Sequence, residues 1–506
     1  MTFTFAGALR DLASRTPDAT AILFEEQRLS FADLHGRGTR LAHVLDGLGV
    51  ADQRRVGFLG KNSPAFFELA LACSLQDAVL VGLNWRLSRS ELVSITADAD
   101  LSLLVVSPDL VHMVDADAGV RVVTTGPELD ALVAAADDTP VETRTRGESV
   151  LLQFYSSGTT GLPKGTLITN DNLAFTRTSG RLLYGMDADT VNLVPSPLFH
   201  IGGAGYGLTA LTQGGTTVLV PDSDPLTLLG AIERHGVTHA FMVPAVIQGI
   251  VGSPALRTSD VASLRVVAYG GAPMSEALLE SAIAALRCDF LGVYGMTETS
   301  GTVVALAAAD HDPGGPRAHL LRSIGKALPW ACEVEVRDPV TLEAAEVGAV
   351  GEIWVRSGQV TPGYWRQPEA TAQALTADGW LRTGDAAYRD ADGFLFLHDR
   401  MKDMVITGGE NVYPAEVENV LAHHPAVLEV AVIGVPSLRW GESVKALVVP
   451  RPGVEVDAAD LIAFARDRLA HYKCPRAVET IEVLPRNASG KILKKELRMT
   501  HGSPVS

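Results

Sequence analysis

Tyr155-Ser156-Ser157-Gly158-Thr159-Thr160-Gly161-Leu162-Pro163-Lys164-Gly165 is the stretch around which this chain is organised. The apolar run Val150-Leu151-Leu152-Gln153-Phe154 leads into it and predicts a buried strand. Glycines let backbone N–H groups turn toward one point, and such concave nests bind anions. Ser156, Ser157, Thr159 and Thr160 add short hydroxyl donors, and Lys164 adds a positive charge. A Gly/Ser/Thr run also suits a flexible linker. The strand before this one and the Pro163-Lys164 pair inside it argue for a fixed loop that holds a polyphosphate. It is not a Walker A sequence: the spacing is Gly-x-x-Gly-x-x-Lys, and Gly165 stands where Ser or Thr would hold magnesium.

Upstream, strands and helices alternate. Arg55–Leu59, Ala78–Val81 and Leu101–Val106 read as strands, with helices at Pro64–Leu75 and Glu91–Ala97 between them. Ser30 is placed to cap a helix carrying Leu34, Leu41, Val44 and Leu45. Downstream, strands at Thr216–Val220, Thr238–Val243 and Leu264–Tyr269 continue the alternation. This pattern predicts α/β architecture with parallel-rich sheets layered by helices, and ligands gathered at the carboxyl ends of strands. From Ser323 onward, strands such as Cys332–Val336 and Glu352–Val355 alternate in polarity and predict an antiparallel, barrel-like subdomain. After His398 a small α+β unit follows, with helices starting at Pro414 and after Asp457. The domains are therefore expected at 1–398 and 403–506, with a hinge over 399–402.

At 506 residues the chain is too long for one core. Its net charge of −17 disfavours nucleic acid and anionic membrane, though a local positive pocket can still hold an anionic ligand. Cys73, Cys288, Cys332 and Cys474 show no metal-binding spacing and suit reduced thiols in the cytoplasm. The N-terminal stretch has no signal-peptide pattern, and no run is apolar enough to span a bilayer.

Tyr294-Gly295-Met296-Thr297-Glu298-Thr299 follows the apolar Phe290-Leu291-Gly292-Val293. A hydroxyl beside a carboxylate can touch a phosphate oxygen and Mg²⁺ together. A helix-capping threonine beside an exposed glutamate would look the same in isolation. Gly270-Gly271-Ala272-Pro273-Met274 offers small residues where a flat ring could lie against backbone; a plain turn is the rival. Trp380-Leu381-Arg382-Thr383-Gly384-Asp385, Asp399-Arg400-Met401-Lys402-Asp403, Thr407-Gly408-Gly409-Glu410 and Ser489-Gly490-Lys491-Ile492 complete an ordered series.

Together with the phosphate loop, this series resembles the acyl-adenylate-forming superfamily, and within it the acyl-CoA synthetases of fatty-acid and aryl type. The resemblance runs from Tyr155 to Leu493. It implies an ATP-dependent, AMP-forming acid–thiol ligase using ATP, Mg²⁺ and CoA. By the same resemblance the loop from Ser156 through Ser157, Gly158, Thr159, Thr160 and Gly161 to Lys164 holds the β- and γ-phosphates. Tyr294 and Gly295 lie against adenine, with Gly271, Ala272 and Pro273 forming the wall of its pocket. Thr297 contacts the α-phosphate and Glu298 holds the metal. Asp385 and Arg400 bind ribose, and Lys402 is the hinge. Gly408, Gly409 and Glu410 line the pantetheine tunnel, and Lys491 bridges carboxylate and α-phosphate. Asp399 replaces the glycine that many relatives have before the arginine.

Phe199-His200 stands where amino-acid-activating relatives have Phe-Asp, so a substrate ammonium would lack its partner. His200 resembles the family's aromatic gate; a packed core histidine is the alternative. The glycines after it (Gly202, Gly203, Gly205 and Gly207), with Gly295 and Met296, predict a roomy pocket for a bulky apolar, aryl or fatty acid. Trp440-Gly441-Glu442 looks like the form found in CoA ligases. The alternative acceptor is a separate acyl-carrier protein. The partners expected are a small carboxylic acid, ATP and CoA, with a homodimer entertained and neither nucleic acid nor an integral membrane contact.

Overall fold

The computed structural model describes residues 3–50, 52–115, 119–156, 163–400, 403–407, 410–437, 439–486 and 492–504. For Ser156, His398, Asp399, Arg400, Glu410 and Asn411 only the backbone is described.

Two large sheets are built from the strands between Thr20 and Ala327. In the six-stranded sheet the order is Arg121–Thr124, Leu101–Val106, Arg55–Leu59, Val79–Leu83, Val150–Ser156 and Lys164–Thr169. Its first five strands are parallel, joined by the crossovers that parallel pairing requires. The last strand is antiparallel, the hairpin partner of Val150–Ser156. In the nine-stranded sheet a parallel centre runs Asp289–Met296, Val266–Gly270, His239–Met242, Val191–Val194, Thr216–Leu219, Thr20–Phe24. Antiparallel strands close both of its margins.

The helix Pro64–Gln76 lies in the core shared by these layers, and every residue from Phe66 to Gln76 is buried. A helix apolar all round is stable only when covered on all sides. Its partner Phe31–Gly47 begins with the expected cap: Ser30 and Asp33 form a reciprocal capping box. The Ser30 hydrogen bonds hold the Asp33 carboxyl below its usual range.

The strand-rich part is a four-stranded antiparallel meander, Cys332–Arg337, Gly351–Ser357, Leu381–Arg389 and Leu395–Arg400. Among the described residues its first and last strands do not pair with each other. Its last strand instead bridges to Gly325 beside the large sheet. Residues after 403 build a separate five-stranded sheet with its own core around Val417, Leu421, Val432 and Leu461. Among the described residues no helix is long and apolar enough to cross a membrane.

Candidate active site

The phosphate loop is held at its base by a hairpin in which Ser156 pairs with Lys164. On the outer side, Leu167 N–H donates to Gly363 O at 3.1 Å and Trp365 N–H to Gly165 O at 2.8 Å. Beneath the hairpin, the Tyr155 hydroxyl donates to Asp98 Oδ2 at 2.5 Å and accepts from Gln153 Nε2 at 3.0 Å. Arg55, 8% exposed, donates to Gln153 Oε1 at 3.0 Å and stacks 3.1 Å from the Trp365 ring centroid. A Cβ on Gly165 would lie 2.6 Å from Gln153 Nε2, so the strand carries glycine there. Ser157, Gly158, Thr159, Thr160 and Gly161 lie outside the described residues, as does the side chain of Ser156.

Glu298 follows the end of Asp289–Met296, in a 3₁₀ turn over Thr297–Thr299. It is 7% exposed, and its Oε1 accepts from the Tyr364 hydroxyl at 3.0 Å. The Lys164 ammonium sits 4.8 Å from the centroid of the same Tyr364 ring. One aromatic side chain therefore joins the phosphate-loop lysine to the candidate metal carboxylate. Glu298 Oε2 and the half-exposed Thr297 hydroxyl take no hydrogen bond from the described residues. A lone carboxylate oxygen beside a free hydroxyl fits Mg²⁺, which binds one or two carboxylates and completes its shell with phosphate and water.

Sequence reasoning missed the side chains that hold this turn. Gln359 Nε2 donates to Thr299 O at 2.9 Å and to Thr302 O at 3.0 Å. Thr361 N–H donates to Glu298 O at 2.8 Å. The one local signal was Pro362-Gly363-Tyr364-Trp365, a turn dipeptide followed by two aromatics.

Tyr294 lies within its strand and donates its hydroxyl to Asp385 Oδ2 at 2.7 Å. Asp385 is 9% exposed; its N–H donates to Thr383 Oγ1 at 3.1 Å, and Gly384 has φ +72°. Two motifs 91 residues apart thus meet in one hydrogen bond. Arg400 stands opposite Asp385 in the antiparallel register. Gly271, at φ +78°, follows the end of Val266–Gly270, with half-buried Ala272 and exposed Pro273 after it.

The glycines after His200 lie on the helix Ile201–Gln213, and the roomy-pocket expectation needs correction. A Cβ at Gly203 would lie 2.3 Å from Pro197 O, and one at Gly207 would lie 2.7 Å from Phe67 Cζ. At Gly205 it would meet Ile201 Cδ1 at 3.0 Å. These glycines are close-packing positions already filled by neighbours, not empty space. Gly295 is similar: its Cβ would fall 1.9 Å from Gly301 O in the next strand. Gly202 is partly exposed, but its Cβ would likewise meet a neighbour, Phe241 Cε1, at 2.9 Å. His200, Gly202, Phe241, Val293 and Met296 are each partly buried, and Gly202 faces the Phe241 ring. The His200 ring lies tilted against Phe199 at 4.6 Å between centroids, and its Nε2 is buried without a hydrogen bond among the described residues. Burial, with the nearby Arg86 charge, holds its imidazole down at about 4.

In the C-terminal unit, the Trp440 ring is flanked by the guanidinium groups of Arg439 and Arg476, each 4.7 Å from its centroid. Lys402, Gly408, Gly409 and Lys491 lie outside the described residues, as do the side chains of Arg400 and Glu410. Residues 9–365 match the AMP-binding enzyme family, and residues 416–491 match the AMP-binding enzyme C-terminal domain. A feruloyl-CoA synthase from Amycolatopsis sp is 41% identical over 494 residues, covering 97% of each chain. A fatty acid–[acyl-carrier-protein] ligase, ScoC, from Streptomyces coeruleorubidus is 38% identical and covers 96% of this chain and 94% of its own. The solved structure of o-succinylbenzoate CoA synthetase from Bacillus subtilis, in complex with its acyl-adenylate intermediate, superposes with TM-score 0.86 at 31% identity, covering 97% of each chain. The chain belongs to the AMP-binding enzyme family and is an ATP-dependent, AMP-forming ligase of the acyl-adenylate-forming superfamily, acyl-CoA synthetase type.

Proposed function

We propose that this ligase activates a bulky apolar carboxylic acid, of aryl or fatty type, and passes the acyl group to CoA. The observation that carries the reading is the junction at Tyr364, where Lys164 and Glu298 converge from separate sheets. The acid's carboxylate attacks the α-phosphorus of ATP; the bond to pyrophosphate breaks, and acyl-AMP forms. The loop from Ser156 to Lys164 grips the β- and γ-phosphates. Thr297 donates to the α-phosphate, and Glu298, through Oε2, would hold Mg²⁺. That ion, when bound, supplies charge neutralisation across the phosphates. Asp385, already ordered by Tyr294, is placed to accept from ribose hydroxyls. Lys491 sits between two anions that repel each other, and its charge counts most as the transition state forms.

In the second step the domain 403–506 turns about 399–402. Lys491 withdraws, Gly408 and Gly409 enter, and the thiol of CoA attacks the acyl carbon, releasing AMP. Hinge closure of this kind assembles a second site and excludes water. The Arg439–Trp440–Arg476 group supports CoA as acceptor: an indole between two cations suits a nucleotide's ring and phosphates. The 38% identity to an acyl-carrier-protein ligase keeps carrier loading as the second reading.

A panel of acids assayed for pyrophosphate release, with CoA as sole acceptor and thioester read by mass spectrometry, tests both steps. Aryl-CoA or long-chain acyl-CoA is expected. Acyl-AMP accumulating without thioester would favour the carrier, and preference for acetate or malonate would overturn the choice of acid. A cytoplasmic setting and a homodimer belong to the same proposal, and cell fractionation and sedimentation test them.

A further inference from the structure

A break in the pairing of two strands sets the Asp385 carboxylate in place. Between Gly351–Ser357 and Leu381–Arg389 the register runs Trp354 to Arg382 and then Glu352 to Ala386. Thr383, Gly384 and Asp385 therefore bulge opposite the single residue Ile353, and a bulge of this kind re-aims the side chains it carries. Side chains close the bulge. Thr383 Oγ1 donates to Ile353 O at 2.8 Å and accepts from the Asp385 N–H at 3.1 Å. The Gly384 N–H donates to Glu352 Oε1 at 2.9 Å. The other oxygen of that carboxylate, Oε2, accepts from the Trp354 indole N–H at 2.9 Å. Trp354 is itself fixed: it is 2% exposed, and the guanidinium groups of Arg337 and Arg382 lie 4.4 and 4.8 Å from its ring centroid. Arg337 stands opposite Glu352 in the register, yet its ion pair is with Glu335. Glu352 thus spans from a buried ring to the residue before Asp385, and hydrogen bonds to a carboxylate are among the stronger ones.

We propose that Glu352 is a positioning residue: through the Gly384 N–H it holds the bulge that presents Asp385 to the ribose hydroxyls of ATP. The inference rests on the reading of Asp385 as the ribose carboxylate. Tyr294 fixes one oxygen of that carboxylate, and Glu352 fixes the backbone on which the side chain stands. Without the Glu352 acceptor the bulge relaxes, and Asp385 loses its aim while keeping its chemistry.

Calorimetric titration of the full chain with Mg·ATP and with Mg·2′,3′-dideoxy-ATP, which lacks both ribose hydroxyls, tests this. The native enzyme should bind ATP about tenfold more tightly than the dideoxy nucleotide. Glu352→Gln keeps the size of the side chain but turns an amide N–H toward one of the two donors. It should cut the preference to about threefold or less by weakening ATP, with the dideoxy nucleotide bound as before. Trp354→Phe removes the Oε2 anchor and should erode the preference in the same direction; it decides the matter if Glu352→Gln does not fold. Adding Glu352→Gln to Asp385→Ala should cost no more than Asp385→Ala alone, because both act on one contact. A full preference in either folded variant, or an equal loss for both nucleotides, would overturn the role of Glu352 and leave Asp385 standing. Equal native affinity for the two nucleotides, or a preference untouched by Asp385→Ala, would overturn the ribose reading and this inference with it.

Discussion

The Tyr364 hydroxyl donates to Glu298 Oε1 at 3.0 Å while the ring of the same residue lies under the Lys164 ammonium, 4.8 Å from the centroid. Tyr364 is thereby a positioning residue for both phosphate-binding charges. Tyr364→Phe keeps the ring and removes the hydrogen bond. A hydrogen bond to a charged group is worth about 1.5–3 kcal/mol, so pyrophosphate release should slow by roughly ten- to a hundredfold. The Mg²⁺ concentration for half-maximal rate should rise as well. An unchanged metal dependence would leave Tyr364 a packing residue only.

Gly203 and Gly230 both lie within helices but face different surroundings. A Cβ at Gly203 collides with the Pro197 carbonyl, whereas one at Gly230 meets nothing within 4 Å. Gly203→Ala should therefore destabilise the fold by about 1–3 kcal/mol. Gly230→Ala should stabilise it by about 0.5–1 kcal/mol. Thermal melts of the two variants decide the matter. If Gly203→Ala melts normally and merely loses turnover of bulky acids, the roomy-pocket view returns.

His200 is held near 4, chiefly by burial and secondarily by Arg86, against about 6.5 in an unfolded chain. The unfolded state therefore binds the extra proton first as pH falls. Stability linked to His200 is fully present above pH 6.5 and is lost progressively toward pH 4. Denaturant unfolding between pH 7 and 4 should show a steeper decline for the native enzyme than for His200→Phe. Activity should show no titration of His200 above pH 6.5.

Arg476→Ala removes one of the two cations flanking Trp440. KM for CoA should rise severalfold and depend less on salt, while pyrophosphate release in the absence of CoA stays unchanged. An effect of the same size on both steps would detach this group from the acceptor.

Lys491→Ala should abolish pyrophosphate release yet largely spare thioester formation from supplied acyl-AMP. Equal loss of both steps would count against rotation of the C-terminal unit about 399–402.

Local pattern was enough for much of the architecture. The apolar runs at Val150–Phe154 and Leu101–Val106 are strands because buried parallel strands need apolar residues on both faces. Ser30 with Asp33, and Pro64 at a helix start, act within one turn of chain, so their neighbours in sequence are their neighbours in space. The order of the chemical motifs, from the phosphate loop to the terminal lysine, was legible for the same reason: each is a short contiguous string.

Tertiary structure alone decided what those strings touch. Tyr364 and Glu298 are 66 residues apart, and Tyr294 and Asp385 are 91 apart; nothing local to any of them encodes its partner. The glycines after His200 show why. A glycine marks a place where a side chain is absent, but what occupies that place can be an aromatic ring, as Phe241 does at Gly202, or a carbonyl pressed against the helix, as at Gly203. Only the packing of Pro197, Phe67 and Phe241 around that helix tells the two apart, because whether space is empty depends on residues far away in the chain.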